Sequence, residues 1–335
     1  MVELRQTLDE VVKKYERKYV GLAAAAVHGD RTVMTGRGAT ARPGAPPDPH
    51  TVFQIGSITK VFTSLLLADL VLAGRVALDQ PVADFFPEIS IPSHGRPISL
   101  LDLATHTSGL PRVPRRVIRR SLRHLDNPYA HVTADDLETA LRDVHLRREP
   151  GTKVHYSNFG AAALGQALGR ALGKPYDALV VDRICEPLGM SETMVNLPPA
   201  LETRRAQGHS RHGKPVPDWE MPALPGMGAL HSTTTDMTTL LRAQLDPAST
   251  PLAETIRMTH VERAGKGRLV ACLGWFRSPI GDRDLSMVWH NGGTGGTFSF
   301  AGFVPEWQSA VVVFANSGRP VDGVGVDLLR AIGNL

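Results

Sequence analysis

Cysteine is nearly absent from this 335-residue chain, lysine is scarce, and no long hydrophobic run interrupts it. The two cysteines, Cys185 and Cys272, lie far apart, which excludes a disulfide framework as the organising device. With no apolar stretch of about 18 residues, a membrane-spanning helix is excluded too. The first residues, Met1 to Lys14, show an amphipathic helical pattern with apolar positions at Leu4, Leu8, Val11 and Val12, and lack the apolar core of a signal peptide. A cytoplasmic protein with no membrane partner is therefore expected. Only 8 of the 37 basic residues are lysine and the net charge is just +4. This arginine bias resembles that of GC-rich coding sequence, and with no nucleic-acid-binding motif beside it, nucleic acid is not an expected partner. Histidines 106, 155, 209, 212 and 231 are scattered and form no H-x-x-x-H or H-E-x-x-H pair, so no metal or other cofactor is expected; His209 and His212 read as polar surface residues.

What the chain does have is the makings of an enzyme core, with 42% hydrophobic and 21% charged residues, enough for one large or two closely joined domains. Gly21 to His28 and Thr32 to Gly38 read as strands joined at Gly29-Asp30. Ser286 to His290, Thr297 to Val304 and Ala310 to Ala315 read as three more, followed by a helix over 323–332. Strands from both chain ends flank a helix-rich middle. The expected fold class is α+β: an antiparallel sheet formed by residues 1–56 and 262–335, flanked by terminal helices, with a mainly helical domain over 57–261 inserted into it and the active site at their interface.

The chemistry starts at Phe53-Gln54-Ile55-Gly56-Ser57-Ile58-Thr59-Lys60. Ile58, Val61, Phe62, Leu65 and Leu66 recur at helical spacing before Gly74, so Ser57 and Lys60 share a face with Cβ atoms about 5 to 6 Å apart. A lysine buried there loses its proton and can accept that of the serine. The competing reading is a serine N-cap followed by a surface lysine. Downstream, Tyr156-Ser157-Asn158 sits in a loop before an Ala/Leu/Gly helix. The tyrosine can share or relay a proton, and the asparagine can hold a substrate carbonyl or orient the lysine. Later, Trp289-His290-Asn291-Gly292-Gly293 continues an apolar strand into glycines that let a substrate backbone come close.

S-x-x-K, Y-x-N and H-x-G each occur once, in that order, and on them the chain resembles the serine β-lactamase and penicillin-binding-protein superfamily. The likeness is to the branch holding class C β-lactamases, related carboxylesterases, D-amino-acid peptidases and some acyltransferases. Leu103 to Pro111 (LATHTSGLP) and Gly228 to Met237 (GALHSTTTDM) add to it. The resemblance implies that Ser57 is the acyl-accepting nucleophile, Lys60 its proton acceptor, and Tyr156 the general base or the relay to the leaving group. It also implies that Asn158, His290, Gly292 and Gly293 bind substrate, the amides of Ser57 and Gly293 forming the oxyanion hole.

The chain departs from the β-lactamase pattern at the third motif, where His290 stands in place of a lysine. A largely neutral imidazole cannot grip a β-lactam carboxylate as a fixed cation would, which argues against dedicated β-lactam hydrolysis. His290 can alternatively bond Tyr156 or a water, or be a structural strand residue. Six arginines lie between 112 and 123, either as a solvated basic helix face or as a lid that attracts anionic substrates. The proline-rich stretch 209–228 reads as a loop at the cleft wall, with Trp219 in an acyl pocket or in the core. The expected activity is hydrolysis of a small ester or amide through an acyl-enzyme on Ser57. The alternatives are an acyltransferase that passes the acyl group to an amine or alcohol, or a ligand sensor that no longer turns over.

Overall fold

The computed structural model describes residues 2–122, 124–281 and 285–335. An apolar stripe of Leu4, Leu8 and Val12 makes the first helix, α1 (Val2–Tyr15), a one-sided element that must cover something. What it covers is a sheet. β1 (Gly21–His28) and β2 (Arg31–Gly38) form a hairpin, and β1 then pairs with the last strand rather than with the next in sequence. The other sheet strands are β5 (Ala264–Lys266), β6 (Leu269–Ala271), β7 (Phe276–Pro279), β8 (Ser286–Gly293), β9 (Phe298–Val304) and β10 (Ser309–Ala315). They complete an eight-stranded antiparallel sheet in the order β2-β1-β10-β9-β8-β7-β6-β5. The short pair β3 (Phe53–Gln54) and β4 (His231–Ser232) forms a separate ribbon, β3 leading into the segment that carries Ser57.

Because strand side chains alternate faces, β1 divides its residues between two cores. Leu22, Ala24 and Ala26 join Val311 and Val313 under α1 and the C-terminal helix Asp322–Ile332. Ala23, Ala25 and Val27 join Val312, Phe314 and Phe303 under the helical middle. Both faces being covered, β1 and β10 are almost continuously apolar in sequence, as buried strands are.

The helical middle includes α2 (Thr59–Leu72), α3 (Leu100–Ala104), α4 (Arg115–Ser121), α5 (Ala134–Asp143) and α6 (Asn158–Leu172). α2 is buried on nearly all sides, from Thr59 to Ala68 without a break, and ends at Gly74 with φ of +65°. Such all-round burial identifies it as the central strut of the molecule. The helix Thr234–Leu245, from the segment expected to form a mainly helical inserted domain, packs directly on β1, β9 and β10. Both cysteines are buried and free, and no described helix is long and apolar enough to cross a membrane.

Candidate active site

The segment entering α2 is a tight 3-10 turn, Gly56–Ile58, and Ser57 sits at its middle. The hydroxyl does not cap the helix. It lies 2.8 Å from Lys60 Nζ, which also donates to the Met227 carbonyl at 2.6 Å. Lys60 is buried, 3% exposed, and its ammonium would stand 5.0 Å from the centre of the Tyr156 ring. Burial, reinforced by the positive charge of Arg112, holds its pKa well below the ordinary 10.5. No described carboxylate pairs with it, and burial and Arg112 both favour the neutral amine.

Tyr156 is held by hydrogen bonds from its neighbours to the loop after α3. The His155 amide donates to the His106 carbonyl at 2.7 Å, and the Ser157 amide to His106 Nδ1 at 3.2 Å. Ser157 caps α6 by accepting from the Gly160 amide at 2.8 Å and donates to the Pro111 carbonyl at 2.7 Å. The imidazole of His106 lies against the tyrosine ring, with centroids 4.4 Å apart. Burial pushes the Tyr156 phenol up to about 12, against the opposing pull of a hydrogen bond to Ser57 and the charge of Arg112. At neutral pH the group is therefore a phenol, able to pass a proton along but not a standing phenolate base.

The third wall is β8. An added Cβ on Gly292 would stand 2.0 Å from the Ile55 carbonyl, 2.3 Å from Ser299 Oγ and 2.9 Å from the Ser57 amide nitrogen. At Gly56, whose φ is +53°, it would stand 2.7 Å from the Gly293 amide nitrogen. The glycines thus let β8 and the Gly56–Ile58 turn meet backbone to backbone, close to the amides of Ser57 and Gly293. Ser299 Oγ and Thr297 Oγ1 tie the sheet to the carbonyls of Ile55 and Gln54 at 2.7 and 2.9 Å. Gly292→Ala should therefore move the strand away from Ser57 and lower kcat/KM by about 10²-fold or more, the cost of one displaced oxyanion donor. Ester turnover by that variant within a few-fold of the parent would contradict this arrangement.

A comparison with known families matches the model described as "Beta-lactamase" over residues 4–334. The chain belongs to the Beta-lactamase family. It is 30% identical over 305 residues to the D-alanyl-D-alanine-carboxypeptidase/endopeptidase AmpH of Escherichia coli (strain K12), covering 85% of this chain and 76% of that protein. It is also similar to a beta-lactamase of Pseudomonas fluorescens, 23% identical with 95% of each chain covered. Penicillin-binding protein 4 of Amycolatopsis lactamdurans is 27% identical, over 84% of this chain and 76% of its own.

In this Beta-lactamase-family chain His290 is buried, and its Nδ1 sits 2.6 Å from the Asn291 carbonyl, so Nδ1 carries the proton and Nε2 presents a lone pair with no partner among the described residues. Burial, then the nearby Lys60, lowers its pKa to about 3, so the imidazole is neutral. Its ring centre lies 6.2 Å from that of Tyr156, with no hydrogen bond between the two. Asn158 opens α6 with its Oδ1 buried and unpartnered and makes no bond to Lys60.

Three groups near the site escaped the sequence reading. His106 passed as one of several scattered histidines although the T-H-T-S-G-L-P segment was legible; it is buried with φ of +61°. Phe276, on β7, stands 5.5 Å from the His290 ring and 5.9 Å from that of His106. The Met227 carbonyl, carrying no side-chain signal, orients Lys60.

Two expectations are also corrected or refined. His209 is not a surface residue: it is fully buried, its Nδ1 is 3.1 Å from the Asn316 carbonyl, and its amide donates to the Gly296 carbonyl. Trp219 is half-buried, its backbone clasped by Gln54 at 2.7 and 3.1 Å and its ring edge-on to Tyr129, and it lines a cavity that includes none of Ser57, Lys60 and Tyr156.

Proposed function

We propose that the protein is a serine hydrolase that cleaves an ester or amide through an acyl-enzyme on Ser57. The observation that carries this reading is the contact of 2.8 Å between the Ser57 hydroxyl and a buried lysine amine that has no carboxylate partner among the described residues. A lysine in that state has little structural use and a clear chemical one. Lys60 takes the Ser57 proton as Oγ attacks the carbonyl carbon. The oxyanion collects charge between the Ser57 and Gly293 amides, and collapse of the intermediate expels the leaving group, protonated through Tyr156. Water then attacks the ester so formed, with the same groups handling its proton in reverse. Asn158 and His290, each with an unsatisfied polar atom at the site, are the groups available to bind substrate dipoles.

With a neutral imidazole at the third motif, small neutral esters should be turned over well and penicillins or cephalosporins weakly or not at all. A charge-assisted hydrogen bond to a carboxylate contributes roughly 1.5 to 3 kcal/mol, or about one to two decades. His290→Lys should therefore raise kcat/KM for nitrocefin relative to p-nitrophenyl butyrate. Efficient nitrocefin hydrolysis by the unmodified protein would overturn the preference. A panel of p-nitrophenyl esters and amides, run with and without amine acceptors, tests the reaction class. Acid release independent of amine supports hydrolysis, and acyl-amine as the dominant product would make the protein a transacylase instead.

A further inference from the structure

Of the arginines between 112 and 123, Arg116 and Arg120 pair with Asp136 at 2.8 and 2.7 Å and hold α4 to α5, and Arg123 lies outside the described residues. The chain just before α4 has a different role. Residues 106–112 are zipped to residues 151–159, which carry Tyr156, by amides of the second stretch. Gly151 donates to the Thr107 carbonyl at 2.9 Å, and Asn158 and Phe159 donate to the Arg112 carbonyl at 3.1 and 3.2 Å. In this seam His106 takes a bond from each neighbour of the tyrosine. Its carbonyl accepts from the His155 amide at 2.7 Å and its Nδ1 from the Ser157 amide at 3.2 Å. Its ring lies against the Tyr156 ring, with centroids 4.4 Å apart. The residue before the tyrosine and the residue after it are thus anchored on one histidine.

Two properties of His106 go beyond packing. Its backbone is left-handed, with φ of +61°, a conformation that most side chains avoid and that asparagine, aspartate and histidine enter more readily. Such an outlier persists where the surroundings over-determine it, as they do in this seam. The ring is also committed to one tautomer. A nitrogen that accepts from an amide carries no proton, so Nε2 carries it. Burial, then the neighbouring Lys60, His290, Arg112 and His155, holds the pKa well below the ordinary 6.5, and the ring stays an acceptor. We infer that His106 is a positioning residue for the reaction, its unprotonated Nδ1 fixing Tyr156 within reach of Ser57 by holding the Ser157 amide. The imidazole is not itself the base, since Nδ1 is occupied and Nε2 already bears a proton. This inference rests on the acyl-enzyme reading above, because it is Tyr156 as proton relay that needs its place held. Without the acceptor the Ser157 amide is a buried donor with no partner, and the loop must shift to satisfy it.

His106→Asn and His106→Gly separate the acceptor from the backbone. Both residues take a left-handed φ, but only asparagine offers an oxygen where Nδ1 stands. For p-nitrophenyl butyrate, kcat/KM should fall about 10²-fold in His106→Gly, mostly in kcat, and return to within about ten-fold of the parent in His106→Asn. The acidic limb of kcat/KM, set by Lys60, should persist in His106→Asn. Equal losses in the two variants, or a parental rate in His106→Gly, overturn the inference. So does loss of the acidic limb in His106→Asn, which would make the imidazole the titrating base. Two further measurements need no turnover and keep a failure of this inference apart from a failure of the acyl-enzyme reading. In nitrogen NMR of the parent, His106 Nδ1 should show the shift of an unprotonated ring nitrogen and Nε2 that of a protonated one. Amide exchange at Ser157 should speed up by about ten-fold or more in His106→Gly and slow again in His106→Asn. A protonated Nδ1 in the parent, or Ser157 exchange indifferent to His106→Gly, refutes the assignment whether or not the parent hydrolyses any ester.

Discussion

Ser57→Ala should abolish ester turnover, with kcat/KM falling by roughly 10⁴-fold or more, while the fold is kept. The size of the effect follows from the absence of any alternative route. Every other group in the site, the amine, the phenol and the paired amides, is arranged around the position of the Ser57 oxygen, and without that oxygen no covalent intermediate can form. The fold should survive because the hydroxyl caps no helix and its partners are the side chains of Lys60 and Tyr156. Circular dichroism and a melting curve alongside the kinetics separate the two. A variant that is folded and retains even a few per cent of parental turnover would mean that the chemistry runs elsewhere.

Lys60→Ala is expected to slow acylation by about 10²- to 10⁴-fold, the range of a positioned general base, and Tyr156→Phe to do the same. The pH dependence distinguishes their roles. Lys60 acts when neutral, so acylation should fall as pH drops through its depressed pKa, and the fall should vanish in Lys60→Ala. Tyr156, pushed up to about 12, should leave no trace of deprotonation near neutrality. The same depression affects stability. Between the lowered value and the ordinary 10.5 the unfolded chain binds a proton at Lys60 that the folded chain does not, so stability should rise with pH across that window. Lys60→Met, which keeps the apolar stem, should flatten that rise. Near-parental acylation in both Lys60→Ala and Tyr156→Phe would instead make His290 the candidate base.

The sequence shows these features unevenly, for physical reasons. α2 was legible because five large apolar residues repeat at its period and Gly74 stops it. The strands at the two chain ends were legible because both faces of the sheet are covered, leaving long apolar runs. β8 was expected to end at His290, yet it continues through Asn291, Gly292 and Gly293, paired to Ser299 and Phe298. Glycines read locally as breakers are here the residues that let another backbone approach, a fact that only the fold can reveal. β5, β6 and β7 escaped notice because they are short and partly polar, at one end of the sheet. Among the candidate site residues, Ser57, Lys60, Tyr156, Asn158, His290, Gly292 and Gly293 come together from three separate segments. The reading of the arginine cluster could not be settled by composition. Whether a guanidinium is spent on Asp136 or left open over Tyr156 depends on where α4 and α5 meet.

The central claim, a covalent acyl group on Ser57, is tested most directly by intact-protein mass spectrometry after a brief exposure to a slowly released ester or a fluorophosphonate, followed by peptide mapping. A single adduct is expected on the peptide containing Ser57, absent from Ser57→Ala. An adduct on any other residue, or labelling that persists in the alanine variant, would contradict it.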